Sequence, residues 1–493
     1  MTAITPQAPA TSLDPENWDE TRIQAHRMLD DMLDYIAQIR ARPVWTPMPQ
    51  DVRDHFRAGI SGAPTPLQDV HREFMDYVVP YAGGNVHPGF MGWVQGGGTV
   101  TGMLAEMLAG GLNANLGGRD HAPIEVERQI LDWVRQLFGF PRSASGLFVT
   151  GTSMANLLAV LVARTARLGK VARTGGLGPA GAQLRAYTSQ AAHGCVSQAI
   201  DLAGLGTDAL RLVPTDLQAR MDVAALRAMI AQDKAAGLQP FLVVGSAGTV
   251  DVGAVDDLRA ICDLCREQNL WFHIDGAYGA LGMLSPAVAP LLDGIGEADS
   301  IAFDFHKWGQ VPYDAGFFLV RDGQAHLDTF ASPAAYLRRE AQGMAAGSPW
   351  PCDFGPDLSR GFRALKTWFT LKVHGAEAIG AAITRSCDLA KYLEERVRAE
   401  PDLELIAPAQ LNIVCFRVRA CDADRLNSEI VITLQKSGIA APSVTTVNGK
   451  IAIRAALFNH RTQKAEVDAL VEGVLEAAAA GRWQDKKSST SAA

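Results

Sequence analysis

Two short motifs hold the residues with the clearest chemical use. His273-Ile274-Asp275-Gly276-Ala277-Tyr278-Gly279 places a carboxylate at the end of an apolar run, Leu270 to Ile274. Asp304-Phe305-His306-Lys307-Trp308 places a lysine just past a second apolar run, Ser300 to Phe303. Both runs read as buried strands, and the interval between them leaves room for one connecting segment, so their ends can lie side by side in a sheet. A buried acid and a lysine at strand ends suit pyridoxal phosphate. The lysine forms a Schiff base, and the carboxylate keeps the pyridine nitrogen protonated so that the ring accepts carbanion electrons. Taken alone, either residue is better explained by a structural ion pair, so the choice rests on what else the chain places nearby.

A phosphate needs donors, and Thr150-Gly151-Thr152-Ser153 opens a helical run, Met154 to Ala163. A helix amino terminus offers unpaired N–H groups, and a glycine there lets the backbone come close to an anion. An ordinary capped helix has the same look. His193 follows the strand-like run Ala186–Ser189, and Thr249 sits in Gly248-Thr249-Val250. Other signals lead away from chemistry. Gly176-Leu177-Gly178-Pro179-Ala180-Gly181 fits a dinucleotide fingerprint but leads into a strand rather than a helix, and it reads as a loop. Cys262 and Cys265 form C-x-x-C inside a helical pattern with no second ligand pair, so they read as core thiols and no metal is expected. Gly96-Gly97-Gly98 reads as a tight backbone approach near the site.

These residues need a scaffold to bring them together, and the pattern supplies one. From Gly146 onward strand-like runs alternate with helical ones: Leu147–Thr150, Ala186–Ser189, Phe241–Gly245, Leu270–Ile274, Ser300–Phe303 and Gly316–Val320, with helices such as Val223–Ala235 and Leu258–Gln268 between. That rhythm predicts an α/β fold, a mostly parallel sheet with helices on its faces and ligands at the strand carboxyl ends. At 493 residues the chain exceeds one simple core. Residues 1–85 read as a helical segment, 86–375 as a large domain, 376–482 as a small α/β domain with strand-like runs Leu411–Val418 and Ile451–Ala456, and 483–493 as a disordered tail. A net charge of −8 without a basic stripe argues against nucleic acid. The opening residues lack a signal-peptide pattern, and no apolar run approaches the ~20 residues of a membrane span. Seven scattered cysteines point to a reducing compartment. The expectation is a cytoplasmic protein without a membrane partner.

The ordered series of motifs resembles the group II pyridoxal-phosphate-dependent amino-acid decarboxylases, the family of aromatic L-amino-acid decarboxylase. It runs from Val44-Trp45-Thr46-Pro47 through His87-Pro88-Gly89-Phe90, Pro123-Ile124-Glu125-Val126-Glu127 and the residues above, to Gly361-Phe362-Arg363-Ala364-Leu365-Lys366-Thr367-Trp368-Phe369. Gly117-Gly118-Arg119-Asp120-His121 and Val311-Pro312-Tyr313-Asp314-Ala315-Gly316 are most like bacterial members. The resemblance implies a fold-type I (aspartate-aminotransferase-like) architecture and a homodimer whose N-terminal segment packs on the partner subunit. It also implies that Lys307 carries the cofactor, Asp275 partners the ring nitrogen, His193 and Ala277 cover the two ring faces, and Thr152, Ser153 and His306 hold the phosphate. Thr249 is placed near the Schiff base. Tyr336 matches the loop tyrosine that protonates the product carbon, which favours a primary amine over the aldehyde made by aldehyde synthases. Trp93, Asn115 and Arg119 fall on substrate-pocket positions. Trp93 favours an aromatic amino acid. Arg119 suits a second carboxylate of an acidic substrate, or a pairing with Asp120 or Glu125. Asp304 stands where the family has asparagine beside the phosphate, where an ionised carboxylate would be repelled.

Overall fold

A computed structural model of the chain describes residues 12–331 and 339–491. In chain order the strands among the described residues are β1 (Phe90–Met91), β2 (Ser145–Val149), β3 (Leu184–Ser189), β4 (Leu210–Val213), β5 (Gln239–Ser246), β6 (Trp271–Asp275), β7 (Ser300–Asp304), β8 (Gly316–Val320), β9 (Leu403–Leu405), β10 (Ile413–Val418), β11 (Ala441–Val447) and β12 (Lys450–Ala456). The larger sheet runs β2-β8-β7-β6-β5-β3-β4, and only β8 is antiparallel to its neighbours. Since β2 and β7 both oppose β8, the carboxyl ends of β2, β3, β5, β6 and β7 share one edge. The strands at the centre are buried almost throughout, as expected when helices cover both faces.

The predicted helices Val223–Ala235 and Leu258–Gln268 form with those bounds, and each is started by an aspartate side chain, Asp222 or Asp257, accepting a backbone N–H of the first turn. Cys262 and Cys265 are buried on the core side of the second helix. β4 lies outside the predicted strands. It is a short, half-buried edge strand paired only with β3, and Leu210-Arg211-Leu212-Val213 gives too little alternation to mark it. The glycine run at 176–181 is not a loop throughout. Gly178–Gln183 is a short helix leading straight into β3, with Pro179 in its first turn, where a missing N–H costs nothing.

The smaller sheet has the order β1-β11-β12-β10-β9. Its first strand departs from the predicted division: Phe90–Met91 falls within 86–375 yet pairs in parallel with Ala441–Pro442. Met91 is fully buried in the core of this sheet, which fixes the assignment. One helix, Arg363–Ala399, serves both cores. It turns at Gly375, whose φ of 76° suits glycine, so that Ala364 and Leu365 join the main core and Leu389, Leu393 and Val397 the smaller one. The last helix, Lys464–Ser491, continues through most of 483–493, where composition predicted a disordered tail. Its alanine run and the lysines after it favour helix, and no proline or glycine follows Gly481 to stop it. Among the described residues no helix is long and apolar enough to cross a membrane.

At the amino end, Trp18–Ala37 and Leu67–Tyr77 lie together, tied by a buried hydrogen bond of 3.0 Å between Gln24 and His71. Trp18, Ile23, Val70 and Phe74 remain exposed.

One buried ion pair joins the helix Ala122–Phe138, strand β2 and the segments at Leu116 and Arg360. The Arg360 guanidinium, 3% exposed, meets Glu127 at 2.6 and 3.1 Å and donates to the carbonyls of Leu116 and Phe148. Glu127 also accepts the Phe148 N–H at 3.2 Å. Removing one partner leaves a buried charge uncompensated, so Arg360→Ala is expected to cost about 3–5 kcal/mol. Denaturant titration of the two proteins checks this; a loss below about 1 kcal/mol, the range of surface pairs, would show that the pair carries no structural weight.

Candidate active site

The shared edge of the larger sheet collects the reactive residues because each follows a strand end. β2 leads into the helix Thr152–Leu168, β3 into His193, β5 into Thr249, β6 ends in Asp275 before Ala277, and β7 ends in Asp304 before His306 and Lys307. These residues, with Ser153 and Trp93, line a single cavity of 620 Å³. The cavity opens toward the smaller sheet, from which Ser443, Val444, Thr445 and Arg454 also line it. Gly96 sits against the floor: a Cβ there would come within 2.5 Å of the carbonyl oxygens of both His306 and Lys307, in line with the close approach predicted for Gly96–Gly98.

Asp275 is buried and bonded only to donors. Oδ1 accepts the Ala277 N–H at 3.2 Å, and Oδ2 accepts the Asn156 amide at 3.1 Å. Burial pushes its carboxyl upward, while Lys307, the Ala277 N–H, Asn156 and His193 all favour the charged form. His193 is exposed to the cavity, and its Nδ1 accepts the Cys195 N–H at 3.1 Å. Thr249 is buried, with its hydroxyl oxygen accepting the Ala254 N–H at 2.9 Å.

Asp304 resolves the question its sequence position raised. Oδ1 accepts the Thr152 N–H at 2.8 Å, at the amino terminus of the helix Thr152–Leu168, and Oδ2 lies 3.0 Å from Lys307 Nζ. His306 Nε2 is 3.4 Å from the same oxygen. His306 Nδ1 accepts the Ala315 N–H, and burial lowers the ring's pKa to about 4, so the neutral ring carries its proton on Nε2. The carboxylate therefore accepts the Thr152 N–H and lies beside the Lys307 amine, while His306 lines the same cavity as Thr152 and Ser153.

Pyridoxal phosphate fits these residues. The cavity has room for it, a lysine amine and a buried carboxylate both reach it, and Thr152 Oγ1 is a buried hydroxyl with no hydrogen-bond partner at a helix amino terminus. Such an orphaned group at that place is what a phosphate would satisfy.

Asn115 and Arg119 do not line this cavity. Asn115 Oδ1 accepts the N–H groups of Gly117 and Arg360, and the exposed Arg119 guanidinium lies 4.8 Å over the Trp350 ring. Glu125 pairs with Arg128 instead of Arg119. Tyr336 lies outside the described residues. Sequence reasoning missed Asn156, Tyr313 and Arg454. Asn156 follows Thr152 by one helical turn, a spacing that places both on one face. Tyr313 packs on His306 with ring centroids 4.2 Å apart. Buried Arg454 holds the carbonyls of Val250, Asp251 and Trp93, and nothing local to its strand signals this.

The comparisons with known proteins agree with this geometry. Residues 49–419 match the pyridoxal-dependent decarboxylase conserved domain. The chain is 33% identical to an aromatic-L-amino-acid decarboxylase of Bacillus atrophaeus, over 91% of this chain and 93% of that one. It is 31% identical to an L-2,4-diaminobutyrate decarboxylase of Rhizobium meliloti, over 80% and 78% respectively. Among solved structures, that of Oryza sativa TDC with PLP and tryptamine superposes with a TM-score of 0.86 and 26% identity, covering 95% of this chain and 99% of that chain. The fold is thus that of the fold-type I decarboxylases, and with the lysine, the buried acid and the orphaned hydroxyl in one cavity the chain belongs to the pyridoxal-dependent decarboxylases, as an enzyme that decarboxylates an amino acid with pyridoxal phosphate.

Proposed function

We propose that the substrate is an aromatic L-amino acid and that the product is its primary amine. The observation that carries this reading is the Trp93 side chain at the cavity, 59% exposed and held at φ 52° in the same cleft as Lys307 and Asp275. Its indole offers an aromatic surface with which a flat side chain can stack. Pyridoxal phosphate, when bound, supplies the electron sink for the pair released as the Cα–carboxylate bond breaks. The protein's own residues do the rest. Lys307 Nζ is the amine for covalent attachment, and Asp304 Oδ2 lies 3.0 Å from it. Asp275 keeps a proton on the ring nitrogen, and His193 and Ala277 flank the ring. Thr152 and Ser153 bind the phosphate at the helix terminus, and Thr249 packs near the attachment point. Tyr336 delivers the proton to Cα, which makes amine the product.

A homodimer is part of the proposal. The apolar side chains of Trp18, Ile23, Val70 and Phe74 at the amino end, and of Met107, Leu108 and Leu112, are exposed in the single chain and suit burial against a second copy. Asn115, Arg119 and Tyr336 would then serve the partner's cavity rather than their own. Arg119, exposed and stacked on Trp350, supports a second reading in which an acidic amino acid is selected by a carboxylate contact. Cytoplasmic localisation completes the proposal, on the reducing-compartment pattern of the cysteines.

A panel of L-amino acids tests the substrate, with carbon dioxide, amine, aldehyde and oxygen uptake followed together. Aromatic substrates are expected to turn over fastest, and Trp93→Ala to lower their kcat/KM about tenfold, the worth of roughly 1.5 kcal/mol of aromatic contact. Fastest turnover of aspartate or glutamate, with Arg119→Ala raising KM most, would give the pocket to Arg119. Amine is expected to exceed aldehyde in the wild type, and Tyr336→Phe to shift the balance to aldehyde.

The dimer is tested by subunit mixing. Lys307→Ala and Tyr336→Phe proteins, each deficient alone in amine formation, should regain part of it on re-forming heterodimers, because one of the two shared sites becomes intact. Purified heterodimers that regain none would place Tyr336 in its own chain's site.

A further inference from the structure

Behind Asp275 lies a line of buried polar side chains that the reaction as described leaves unused. Trp271 Nε1–H donates to Ser300 Oγ at 2.9 Å, and Ser300 Oγ lies 2.8 Å from His273 Nδ1. His273 Nε2 lies 2.8 Å from Asn156 Oδ1, and Asn156 Nδ2 donates to Asp275 Oδ2 at 3.1 Å. The fold sets each step. His273 and Asp275 are two residues apart on β6 and so face the same way, and His273 is in register with Ser300 on β7. Asn156 reaches in from the helix Thr152–Leu168, one turn below Thr152. His273, Asn156 and Ser300 are each at most 1% exposed.

The donor and acceptor roles fix a direction. Trp271 has only a proton to give. The Asn156 amide nitrogen gives one hydrogen to Asp275 and the other to Cys195 Sγ at 3.1 Å, so its oxygen faces His273 and Nε2 must carry the proton. Nδ1 then accepts from the Ser300 hydroxyl. The opposite direction would turn the Asn156 oxygen onto a carboxylate oxygen, which is tolerable only if Asp275 keeps a proton of its own. Deep burial keeps the His273 ring neutral, lowering its pKa to about 3.

We propose that His273 and Asn156 are positioning residues, the last links of a one-way hydrogen-bond relay that starts at Trp271 and holds Asp275 as a carboxylate available to the cofactor's ring nitrogen. The inference rests on the reading above that Asp275 meets that nitrogen. The relay is needed because burial works against the charge, and the counter-charge of Lys307 is shared with Asp304, whose Oδ2 is 3.0 Å from Nζ. Asp275 therefore depends on donors of its own, and a donor to a charged acceptor is worth more than one between neutral groups.

The test compares two ligands on full-length protein freed of cofactor: pyridoxal phosphate and its 1-deaza analogue, in which a C–H replaces the ring nitrogen. Wild-type protein is expected to prefer the nitrogen compound in calorimetric titration. In Asn156→Leu and His273→Phe that preference should fall about tenfold or more, the effect of losing a hydrogen bond to a charged group, while affinity for the analogue stays nearly constant. A purely structural role would weaken both ligands alike; that result overturns the relay and leaves the cofactor assignment standing. Wild-type protein that binds the two equally would overturn the Asp275 assignment and the relay with it. Should neither variant fold, a neutron map of the wild type decides: hydrogen on His273 Nε2 and none on Nδ1 or Asp275 Oδ2 supports the relay, and hydrogen on Nδ1 contradicts it.

Discussion

The constraint that shapes the site is a carboxylate buried at the end of a central strand. An ionised acid out of water is costly unless hydrogen bonds and a counter-charge replace its hydration. Asp275 has both: the Ala277 N–H from its own turn, the Asn156 amide from a neighbouring helix, and Lys307 across the cavity. Each donor is held by an element whose position the large sheet dictates. The parallel run of β3, β5, β6 and β7 then determines that His193, Thr249, Ala277 and Lys307 emerge on the same side. A second carboxylate, Asp304, completes the balance by meeting the helix amino terminus and the lysine together.

The two parts of the molecule meet over this cavity. Arg454 on β12 reaches across to the carbonyls of Val250, Asp251 and Trp93. The backbone carrying the indole proposed to select the substrate is thereby tied to the smaller sheet. On the opposite flank, the Arg360–Glu127 pair binds Leu116 and Phe148, and Phe148 lies in the strand that leads to Thr152. Both arginines are buried, and each bonds to backbone carbonyls from more than one element.

Much of this was legible from the chain because the large sheet is written as apolar runs with turns between them. Leu270–Ile274 and Ser300–Phe303 had to be buried strands, and the chemistry follows at their ends. Features that depend on contacts distant in sequence were not legible. The roles of Asn156, Tyr313 and Arg454 come from packing between elements far apart in the chain. The short edge strand Leu210–Val213 and the pairing of Phe90–Met91 with Ala441–Pro442 have too few residues to show a period. His306 lines the cavity beside Asp304, and its packing on Tyr313 could not be read from the chain. Asn115 and Arg119 were placed in the pocket by resemblance, and within one chain their side chains go elsewhere.

Lys307, in one cavity with Asp275, is the proposed point at which pyridoxal phosphate is covalently held. Borohydride reduction of the protein with its cofactor, followed by proteolysis and mass spectrometry of the labelled peptide, tests this directly. A single phosphopyridoxyl group on Lys307 is expected. Stoichiometric label on any other lysine, with Lys307 unmodified, would contradict it.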